Sequence, residues 1–521
     1  MKILVYGAGP LGSYFAAKLH EAGENVSLLA RRQRLADLQE HGVVLHEPGG
    51  RDTTTRVPLV EQLAPGDAYD LVLVVMGKNA VASVLPALAA SSATPSVLFL
   101  GNNVAGPEEL VRALGSGRVL LGFPGIGGVV EGHAVRVIYP KRGKQGLTLV
   151  GELNGSKTPR LEQIVGALHR AGIKAHISSN IDAFLKTHFA FIGPLTDALF
   201  GAGGSDQLAD SDRIPLMLDA VKEGFRVLHA LHIPITPSPF KALEIIPVPV
   251  FAALMKRMLK TEHVRSMSRD LTSASHREEV RHLDRDFQDL VRMHGAPTPA
   301  MDRLKAFCTH REHPWRIHDL AQDFVLYDIV EFPIAADKDR SETLHKFMWT
   351  LANQDLRAQG AQAKAAAVLV YLRQFLARIL DWDKGQHTYS IPGCSERGIR
   401  DRMSEDDKKR DQPGLFVRLP APFEPVYTFE DEDLREFSNG HMHVLIHASM
   451  VKKESGLYNV QFAWYLKMRA RKGAYYMKMI SPFREHVIRP AMVKRVQAKW
   501  ALRSKSEADA TEVERHVGQS R

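Results

Sequence analysis

The sequence predicts a multidomain α/β protein, with a parallel-sheet domain first, an all-helical domain second and an α+β accessory domain last. Short apolar runs alternate with helical patterns through residues 1–160, which is typical of βαβ units. Helical periodicity then dominates residues 161–310, and strand-like runs return within residues 311–503. The remaining residues, 504–521, are polar, and we expect them to form a disordered tail.

The first domain carries the clearest secondary-structure pattern. Its apolar runs are uninterrupted, so its strands should be buried on both faces, as in a parallel sheet. We predict strands at residues 3–6, 26–30, 71–75, 97–100, 119–123, 135–139 and 147–150, and helices at 11–22 and 81–90. The last three of these strands are expected to close the same sheet.

Capping and turn residues locate elements of the two later domains. Asn180 and Asp182 can cap a helix that runs through Lys186. Residues 276–294 are predicted to form a long helix that Gly295 ends. The third domain should contain a helix at 361–382, a charged loop at 397–413 and a hairpin of strands at 441–450 and 458–468.

Composition points to a globular protein in a reducing compartment. Of the 521 residues, 45% are hydrophobic and 24% are charged, and both fractions are ordinary for a globular chain. The two cysteines, Cys308 and Cys394, cannot build a disulfide framework, and neither has the spacing of a metal ligand. We find no secretory signal and no apolar run long enough to cross a membrane. We therefore expect a cytoplasmic protein without a metal.

The net charge of +9 is placed unevenly. Residues 451–505 are rich in Lys and Arg, with Glu454 and Glu485 as their only acids, whereas residues 424–436 are acidic. The simpler interpretation is two solvated faces that partly neutralise each other. The alternative is a basic surface for anionic lipid, a phosphorylated ligand or nucleic acid, although nucleic acid is not the partner we expect.

A glycine-rich turn follows the first predicted strand and opens the first helix. It is a G-x-G-x-x-G pattern, Gly7-Ala8-Gly9-Pro10-Leu11-Gly12. In a dinucleotide site the first glycine permits a tight turn, the second lets backbone amides approach the pyrophosphate, and the third lets helix and strand pack closely. The positive end of the helix then faces the phosphates. The strand–turn–helix context therefore predicts a Rossmann-type dinucleotide site.

The end of the second strand distinguishes between the two nicotinamide cofactors. An NAD site usually places Asp or Glu there, because the ribose hydroxyls donate to it. Here the strand ends in Arg31-Arg32, whose guanidinium groups can bind a 2′-phosphate, and no carboxylate is present to repel that phosphate. NADP is the predicted cofactor. The alternative is that both arginines simply face solvent.

With these motifs, residues 1–308 resemble the 2-dehydropantoate 2-reductase (ketopantoate reductase) family, as a divergent member. The supporting motifs beyond the glycine-rich turn are Asn102 within residues 100–106, Lys186 followed by Pro194-Leu195-Thr196, Ser266-Met267 with Asp270, and Glu279. The resemblance implies the transfer of a hydride from NADPH to a ketone, the type of reaction that this family performs in pantothenate biosynthesis.

The resemblance also implies the catalytic residues. Lys186 matches the lysine that protonates the carbonyl oxygen as hydride reaches the carbon. A partly desolvated lysine has a lowered pKa, which suits a general acid near neutral pH. Glu279 matches the glutamate near the nicotinamide ribose and the substrate hydroxyl, although its neighbour Glu278 shares the helix. His188 is expected to be structural, since it lies on a different helix face from Lys186.

The same resemblance implies the binding residues. Asn102 matches the asparagine that contacts cofactor and substrate, and Lys78 stands beside the position of a family lysine. Ser266 is the counterpart of the serine that holds the substrate carboxylate, with Ser268 as the alternative.

The sequence departs from the family at three positions. A substrate-binding asparagine one turn after Lys186 is absent, since Ala190 stands there. A second asparagine is replaced by Gly193, and the lysine that follows the third strand is replaced by Gly77. The loss of two donors weakens any expectation that the substrate is ketopantoate, whereas the reaction type is unaffected.

The C-terminal third is similar to a different family, the domain of unknown function numbered 2867. That resemblance is clearest at residues 441–500. A sheet followed by a long C-terminal helix would suit a helix-grip ligand pocket, by analogy of fold alone. Trp349, Trp382, Tyr458 and Trp464 would line such a pocket, or else belong to the core.

The leading hypothesis is an NADPH-dependent reductase of a 2-oxo acid or related ketone, with an accessory domain. Its expected partner is a small-molecule ketone, and the sequence is compatible with a homodimer. The first alternative is a non-catalytic NADP-binding regulatory or scaffold protein, in which the missing asparagines reflect lost catalysis. The second, an adaptor for nucleic acid or a membrane surface, depends only on residues 451–505.

Overall fold

The computed structural model describes most of the chain, which divides into two compact units, Met1–Leu304 and Lys305–Arg521. The described residues are 1–50, 52–140, 144–336, 340–352, 390–412, 423–453, 456–470 and 489–502, with the single residues 473, 477, 479, 480 and 484. The predicted helix at 361–382 and the predicted tail at 504–521 lie outside them.

The first unit contains two sheets. Its strands are β1 (Lys2–Tyr6), β2 (Asn25–Leu29), β3 (Val43–His46), β4 (Asp52–Thr55), β5 (Leu59–Val60), β6 (Leu71–Val74), β7 (Val97–Leu100), β8 (Val119–Phe123), β9 (Gly127–Glu131), β10 (Ala134–Ile138), β11 (Thr148–Glu152) and β12 (Ala175–Ile177). The large sheet has the order β12-β11-β8-β7-β6-β1-β2-β5, and the small sheet has the order β4-β3-β10-β9.

The centre of the large sheet is parallel, as the uninterrupted apolar runs predict. Strand β1 pairs in parallel with β2 and β6, β6 with β7, and β7 with β8. All four residues of β6 and of β7 are buried. The Rossmann-like sheet expected from the sequence is confirmed.

One strand was assigned to the wrong sheet. We expected residues 135–139 to close the large sheet, but β10 pairs with β9 and β3 in the small sheet. A tight turn that includes Gly132, with φ +62°, folds β10 back against β9. Local hairpin pairing of this kind depends on turn geometry, which an apolar run does not encode.

Helices connect many of the strands and then form the rest of the first unit. They are α1 (Pro10–Glu21), α2 (Arg32–His41), α3 (Lys78–Val81), α4 (Leu85–Ala90), α5 (Glu108–Leu114), α6 (Pro159–Arg170), α7 (Ile181–Ala202), α8 (Ser205–Asp210), α9 (Arg213–Ala230), α10 (Ala242–Ile245), α11 (Val248–Leu259), α12 (Glu262–Leu271), α13 (Ala274–His294) and α14 (Pro299–Glu312), the last extending into the second unit. Three-residue and four-residue 3₁₀ turns occupy Ala82–Val84 and Ser238–Lys241.

The predicted caps Asn180 and Gly295 are confirmed, whereas Asp182 does not cap α7 but lies in its first turn. The Asn180 side chain accepts a hydrogen bond from the Ala183 amide at 3.0 Å, and α7 begins at the next residue after Asn180. Gly295 ends α13 in the left-handed region, with φ +72°. These caps fix the starting point of the helix that carries Lys186 and the end of the helix that carries Glu279.

The second unit is built on a five-stranded antiparallel sheet. Its elements are α15 (Ile317–Leu320), β13 (Val325–Ala336), α16 (Arg340–Ala352), α17 (Glu405–Arg410), β14 (Glu424–Thr428), β15 (Glu432–Ser438), β16 (Met442–Lys452), β17 (Tyr458–Met468) and α18 (residues 489–502), with a 3₁₀ turn at Ile399–Arg402. The strand order is β13-β17-β16-β15-β14. Strands β16 and β17 pair antiparallel, which confirms the predicted hairpin.

The expected loop at 397–413 is partly wrong, because part of that segment is helical. The Ser404 hydroxyl accepts from the Asp407 amide at 3.1 Å, and the Asp407 carboxylate accepts from the Ser404 amide, so a capping box starts α17. The high charge of this segment suggested a loop. The charges instead belong to a short helix with acids in its first turn and bases in its last, an arrangement that the helix dipole favours.

The aromatic residues considered for a ligand pocket do not share one environment. Trp349 is 51% exposed, and Trp382 lies outside the described residues. Tyr458 and Trp464 pack against the apolar cluster that Phe332, Phe347 and Phe462 build on one face of the sheet (with Trp500 alongside). The helix-grip pocket therefore remains a prediction. Among the helices within the described ranges, none is both long and apolar enough to cross a membrane.

Candidate active site

The glycine-rich turn is shaped by backbone contacts at two of its glycines. A Cβ at Gly7, whose φ is +119°, would lie 2.4 Å from the Val75 carbonyl oxygen. A Cβ at Gly12 would lie 1.8 Å from the Gly7 carbonyl oxygen. A Cβ at Gly9 would have no heavy atom within 4 Å, and Gly9 is exposed just before Pro10 begins α1. The first and third glycines therefore serve the fold, and the second leaves an open surface.

This contrast predicts different effects for two alanine substitutions. Gly12→Ala should destabilise the first unit and abolish cofactor binding, because α1 must move off its strand to relieve a backbone collision. Gly9→Ala should keep the melting temperature of the parent and weaken NADPH binding, if the turn binds a pyrophosphate as its glycine pattern predicts. Thermal melts and calorimetric titration with NADPH would measure both. A Gly9→Ala protein that binds NADPH as tightly as the parent would contradict the assignment.

The end of β2 presents two exposed arginines beside the turn. The Arg31 guanidinium donates from Nη2 to the Tyr6 hydroxyl at 3.0 Å and from Nε to the Glu61 carbonyl oxygen at 3.3 Å. Arg32 is the first residue of α2 and has φ +53°. Both side chains are exposed, so they can reach a phosphate without displacing core residues.

A third arginine, Arg34 on α2, contacts the glycine-rich turn and was not among the predicted site residues. The half-buried Arg34 donates from Nε to the Ala8 carbonyl oxygen at 3.1 Å and from Nη2 to the Ser13 hydroxyl at 3.1 Å. It also donates from Nη1 to the His133 carbonyl oxygen at 2.9 Å. Burial lowers the pKa of Arg34. Arg34 thus stabilises the glycine-rich turn through hydrogen bonds to Ala8 and Ser13. The spacing of the arginines in the sequence does not distinguish Arg34 from Arg31 and Arg32.

Two of the predicted site residues meet at the carboxyl ends of the central strands. Asn102, which follows β7, donates from Nδ2 to Glu279 Oε1 on α13 at 3.3 Å. A Cβ at Gly77 would lie 3.5 Å from Glu279 Oε2, so the carboxylate sits over the glycine that follows β6. Asn102 Oδ1 is buried without a hydrogen-bond partner in the described part of the chain. Glu278 is exposed, which favours Glu279 as the inward residue.

Lys78 is buried and paired with a carboxylate. Its side chain is 5% exposed, and Nζ donates to Glu109 Oε2 at 2.9 Å. Burial raises the pKa of the nearby Asp286, while the charges of His282 and Lys78 act in the opposite direction. In this structure Lys78 is therefore held by an acidic environment at the edge of the site.

Lys186 lies on the first third of α7, with its side chain 9% exposed. Its Nζ forms a close ion pair with Asp182, one turn earlier on the same helix. The i, i+4 spacing places the two side chains one above the other on the helix surface, so Asp182, predicted as a cap, is the partner of Lys186. No hydrogen bond joins Lys186 to the Asn102–Glu279 pair in the described region.

The His188 side chain is packed between aromatic rings, which agrees with the structural role expected for it. Its ring centroid lies 4.5 Å from that of Phe123 and 6.0 Å from that of Phe184, which stacks on it. Burial lowers the pKa of His188 to about 4. The imidazole is therefore neutral near pH 7 and is a poor proton donor.

Of the two serines that could hold a substrate carboxylate, Ser266 has the environment that suits an anion better. Its hydroxyl accepts from Arg136 Nη1 at 3.4 Å, while Arg136 Nε donates to Glu131 at 2.5 Å. Ser268 is 3% exposed, and its hydroxyl donates to the Arg265 carbonyl oxygen within α12 at 3.0 Å. The Ser268 hydroxyl is thus buried and bonded within its own helix, whereas the Ser266 hydroxyl lies beside the Arg136 guanidinium.

The positions that lack the family asparagines are filled by helix packing. Ala190 is 0% exposed, and a Cβ at Gly224 of α9 would lie 3.1 Å from the Ala190 Cβ. A Cβ at Gly193 would lie 3.1 Å from the Phe189 ring. A larger side chain at Ala190 would therefore enter the buried contact between α7 and α9, whereas a side chain at Gly193 would meet the Phe189 ring of its own helix.

The described residues contain no group of three or more His, Cys, Asp or Glu side chains that could hold a metal ion.

Comparison with known proteins matches the two ends of the chain to two families. The family model described as ketopantoate reductase PanE/ApbA matches residues 3–155, and the protein of unknown function DUF2867 matches residues 320–491. The 2-dehydropantoate 2-reductase of Pyrococcus abyssi is 24% identical over 234 residues, which cover 44% of this chain and 73% of that protein. The enzyme of the same name from Pyrococcus horikoshii is 25% identical over 250 residues, 47% of this chain and 78% of that protein.

A solved structure shares the fold. The ternary structure of D-mandelate dehydrogenase with NADH and anilino(oxo)acetate has a TM-score of 0.51 and 18% sequence identity, and it covers 60% of this chain and 98% of that one. The chain thus carries an N-terminal ketopantoate reductase PanE/ApbA domain and a C-terminal DUF2867 domain, and it is a distant homologue of the 2-dehydropantoate 2-reductases.

Proposed function

We propose that the first unit is an NADPH-dependent reductase of a 2-oxo acid or a related ketone. The observation that carries this proposal is the hydrogen bond between Asn102 and Glu279 over Gly77. Gly7, Gly77 and Asn102 follow the adjacent strands β1, β6 and β7. The carboxyl ends of such strands are where open α/β sheets bind their ligands. The polar pair from two different parts of the chain thus lies where the nicotinamide end of a dinucleotide would be expected.

The residues divide into three roles in this proposal. The glycine-rich turn, Arg31 and Arg32 hold the phosphates, and NADPH supplies the hydride. Asn102 and Glu279 orient the nicotinamide ribose and the substrate by hydrogen bonds. Lys186 Nζ donates the proton to the carbonyl oxygen, and the close ion pair with Asp182 orients Nζ until the substrate oxygen replaces that partner.

The substrate of this proposal differs from ketopantoate. Ala190, which is buried, and Gly193 stand where the family has amide donors, so this chain lacks both of them. The carboxylate of the substrate would be held by Ser266, as in the family, with the Arg136 guanidinium beside it. This arrangement suits a 2-oxo acid that has no hydroxyl groups to be recognised by α7.

A non-catalytic NADP-binding protein is the second candidate. The observation that favours it is the ion pair of Lys186 with Asp182, which occupies the one ammonium group that the reaction needs. A regulatory or scaffold protein would retain the turn and the arginines and would tolerate the loss of the two asparagines.

Two measurements together distinguish these candidates. One is NADPH oxidation, followed at 340 nm, with a panel of 2-oxo acids that includes ketopantoate. The other is calorimetric titration of the protein with NADPH. The reductase should bind NADPH and oxidise it with at least one 2-oxo acid. NADPH binding without turnover on any member of the panel would favour the non-catalytic protein, and no binding would contradict both.

A further inference from the structure

The sheet of the second unit has one apolar face and one polar face. On the apolar face, Phe332, Ile446 and Phe462 belong to a single buried cluster. Facing residues of paired strands share a side of the sheet, so the register brings a second set of residues together on the other side. That set is almost fully buried, and we call it the polar face: Glu432, His443, His447, Ser449, Gln461 and Tyr465. Buried polar groups need hydrogen-bond partners, which the segment covering this face must supply.

Residues 310–320, which comprise the end of α14 and the whole of α15, lie against the polar face. His310 Nε2 is 2.9 Å from the Tyr465 hydroxyl. Further along the chain, the Arg316 amide donates to Glu432 Oε1 at 3.1 Å. We call residues 310–320 the strap. Hydrogen bonds at two points of the strap thus join it to the sheet.

The hydrogen bonds of His310 suit a neutral imidazole. The side chain is fully buried, and Nδ1 lies 2.7 Å from Gln461 Oε1. Gln461 Nε2 donates to the Ala306 carbonyl oxygen at 3.4 Å, which turns Oε1 toward His310. Nδ1 therefore carries the proton and donates it, while Nε2 accepts from the Tyr465 hydroxyl. A second proton on Nε2 would meet that donor and would bury a positive charge.

Two further imidazoles lie beside His310. The ring centroids of His447 and His318 are 5.2 Å and 5.4 Å from the ring centroid of His310. His313 acts on His310, and the charge of Arg311 acts on His318, in both cases against protonation. Each of these groups is neutral or positive, so a positive charge on one imidazole is opposed by its neighbours.

Glu432 is the carboxylate that faces these imidazoles. It accepts from His447 Nε2 at 2.8 Å and from the Tyr427 hydroxyl at 2.9 Å, in addition to the strap amide. Its charge favours protonation of His318, but burial and His447 have larger effects in the opposite direction. The oxygens of Glu432 are thus already engaged by other donors.

The two strap histidines favour attachment when they are neutral. Burial lowers the pKa of His310 well below its usual range and lowers the pKa of His318 to about 4, and the neighbouring imidazoles act in the same direction. In a released strap both would titrate near about pH 6.5. Their contribution to attachment is therefore complete above that pH and is lost as the pH falls from about 6.5 towards 4. Burial acts to raise the pKa of Glu432, whereas hydrogen bonds led by that from His447 lower it overall, so Glu432 stays ionised over most of this range.

We propose that the strap is a pH-sensitive switch that stays on the polar face while His310 and His318 are neutral and leaves it when acid protonates them. Trp315, Ile317 and Leu320 are buried, so apolar contacts hold the strap in place at neutral pH. Protonation opposes these contacts, because the charged imidazoles are hydrated only in the released strap. Release exposes the polar face to solvent and leaves the strand pairs beneath it intact.

Hydrogen–deuterium exchange of the full-length protein at about pH 7.5 and about pH 5 tests the proposal. After correction for the intrinsic exchange rate, protection of the strap amides should fall about thirtyfold for each histidine that release protonates. Both histidines together should lower it about a thousandfold, or to no protection at all. Amides of β16 and of β6 should keep their protection at both pH values.

Substitutions by glutamine identify the titrating groups. His318 is half-buried, and His318→Gln should make the fall about thirtyfold smaller than in the parent. In the double variant, His310→Gln with His318→Gln, the new amide at position 310 can donate to Gln461 and accept from Tyr465. Its strap should stay protected within a few-fold at both pH values. His176→Gln is the matched control, because it removes an exposed histidine of β12 and should behave as the parent does.

Equal protection of the strap at the two pH values would overturn the proposal. A simultaneous loss of protection in the strap and in β16 would also overturn it, since the sheet would then be unfolding as a whole. A loss that persists in the double variant would have the same meaning. If the double variant does not fold, His318→Gln alone decides the question, because a fall as large as that of the parent would exclude a role for this histidine.

Discussion

Lys186→Ala is expected to lower turnover about 10²–10⁴-fold, the usual effect of removing a general acid. Because Lys186 lies on α7, outside the glycine-rich turn and the end of β2, NADPH affinity should stay within a few-fold of the parent. The expected loss is in kcat, since the proton is needed in the transition state. Steady-state kinetics on the best 2-oxo acid of the panel would give kcat, and calorimetric titration would give the affinity for NADPH.

The matched control for this variant is Lys157→Ala, which removes an exposed lysine before α6 and should leave both numbers unchanged. Turnover of Lys186→Ala within a few-fold of the parent would show that another group protonates the ketone. His188 is a poor substitute, because burial lowers its pKa to about 4 and only a small fraction carries the second proton near pH 7.

Replacing Arg31 and Arg32 together with alanine should remove most of the preference for NADPH over NADH. Each charge-assisted hydrogen bond to the 2′-phosphate contributes roughly 1.5–3 kcal/mol, so the ratio of the two affinities should fall by at least about tenfold. The Tyr6 hydroxyl and the Glu61 carbonyl oxygen hold Arg31 in place, which reduces the entropy lost on binding. Affinity for NADH should change little.

Arg56→Ala provides the control for charge alone. Arg56 is exposed and donates to the carbonyl oxygens of Gln39 and Glu40 at the end of α2. It should leave the preference intact. Equal affinity of the parent protein for NADPH and NADH would refute the assignment of these arginines, and would make NAD the cofactor of the proposal.

The parts of the fold that the sequence predicted are those with local physical signals. Apolar runs such as Leu71–Val74 can be buried on both faces only inside a layered sheet, and residues such as Asn180 and Gly295 mark helix ends by their own geometry. The pairing of strand β10 was not predictable in this way, because it depends on the turn that pairs β10 with β9 and on the contact of β10 with β3, which is far away in the chain.

The candidate site also contains some features that local sequence motifs predict and others that depend on contacts between distant segments. The glycine-rich turn is a local motif, and its backbone contacts agree with the sequence analysis. One of the three contacts of Arg34 is with the loop that contains His133, and Ser266 on α12 contacts Arg136 on β10. Contacts of this kind join segments about a hundred residues apart, and no spacing in the sequence indicates them.

Isotope transfer from the cofactor to the substrate carbon tests the central claim most directly. NADPH deuterated at both C4 positions would be incubated with the full-length protein and the panel of 2-oxo acids, and the products analysed by mass spectrometry. The proposal predicts a 2-hydroxy acid that carries one deuterium on the former carbonyl carbon, formed by the parent and by Lys157→Ala but about 10²–10⁴-fold more slowly by Lys186→Ala. Bound NADPH with no labelled hydroxy acid from any member of the panel would contradict it.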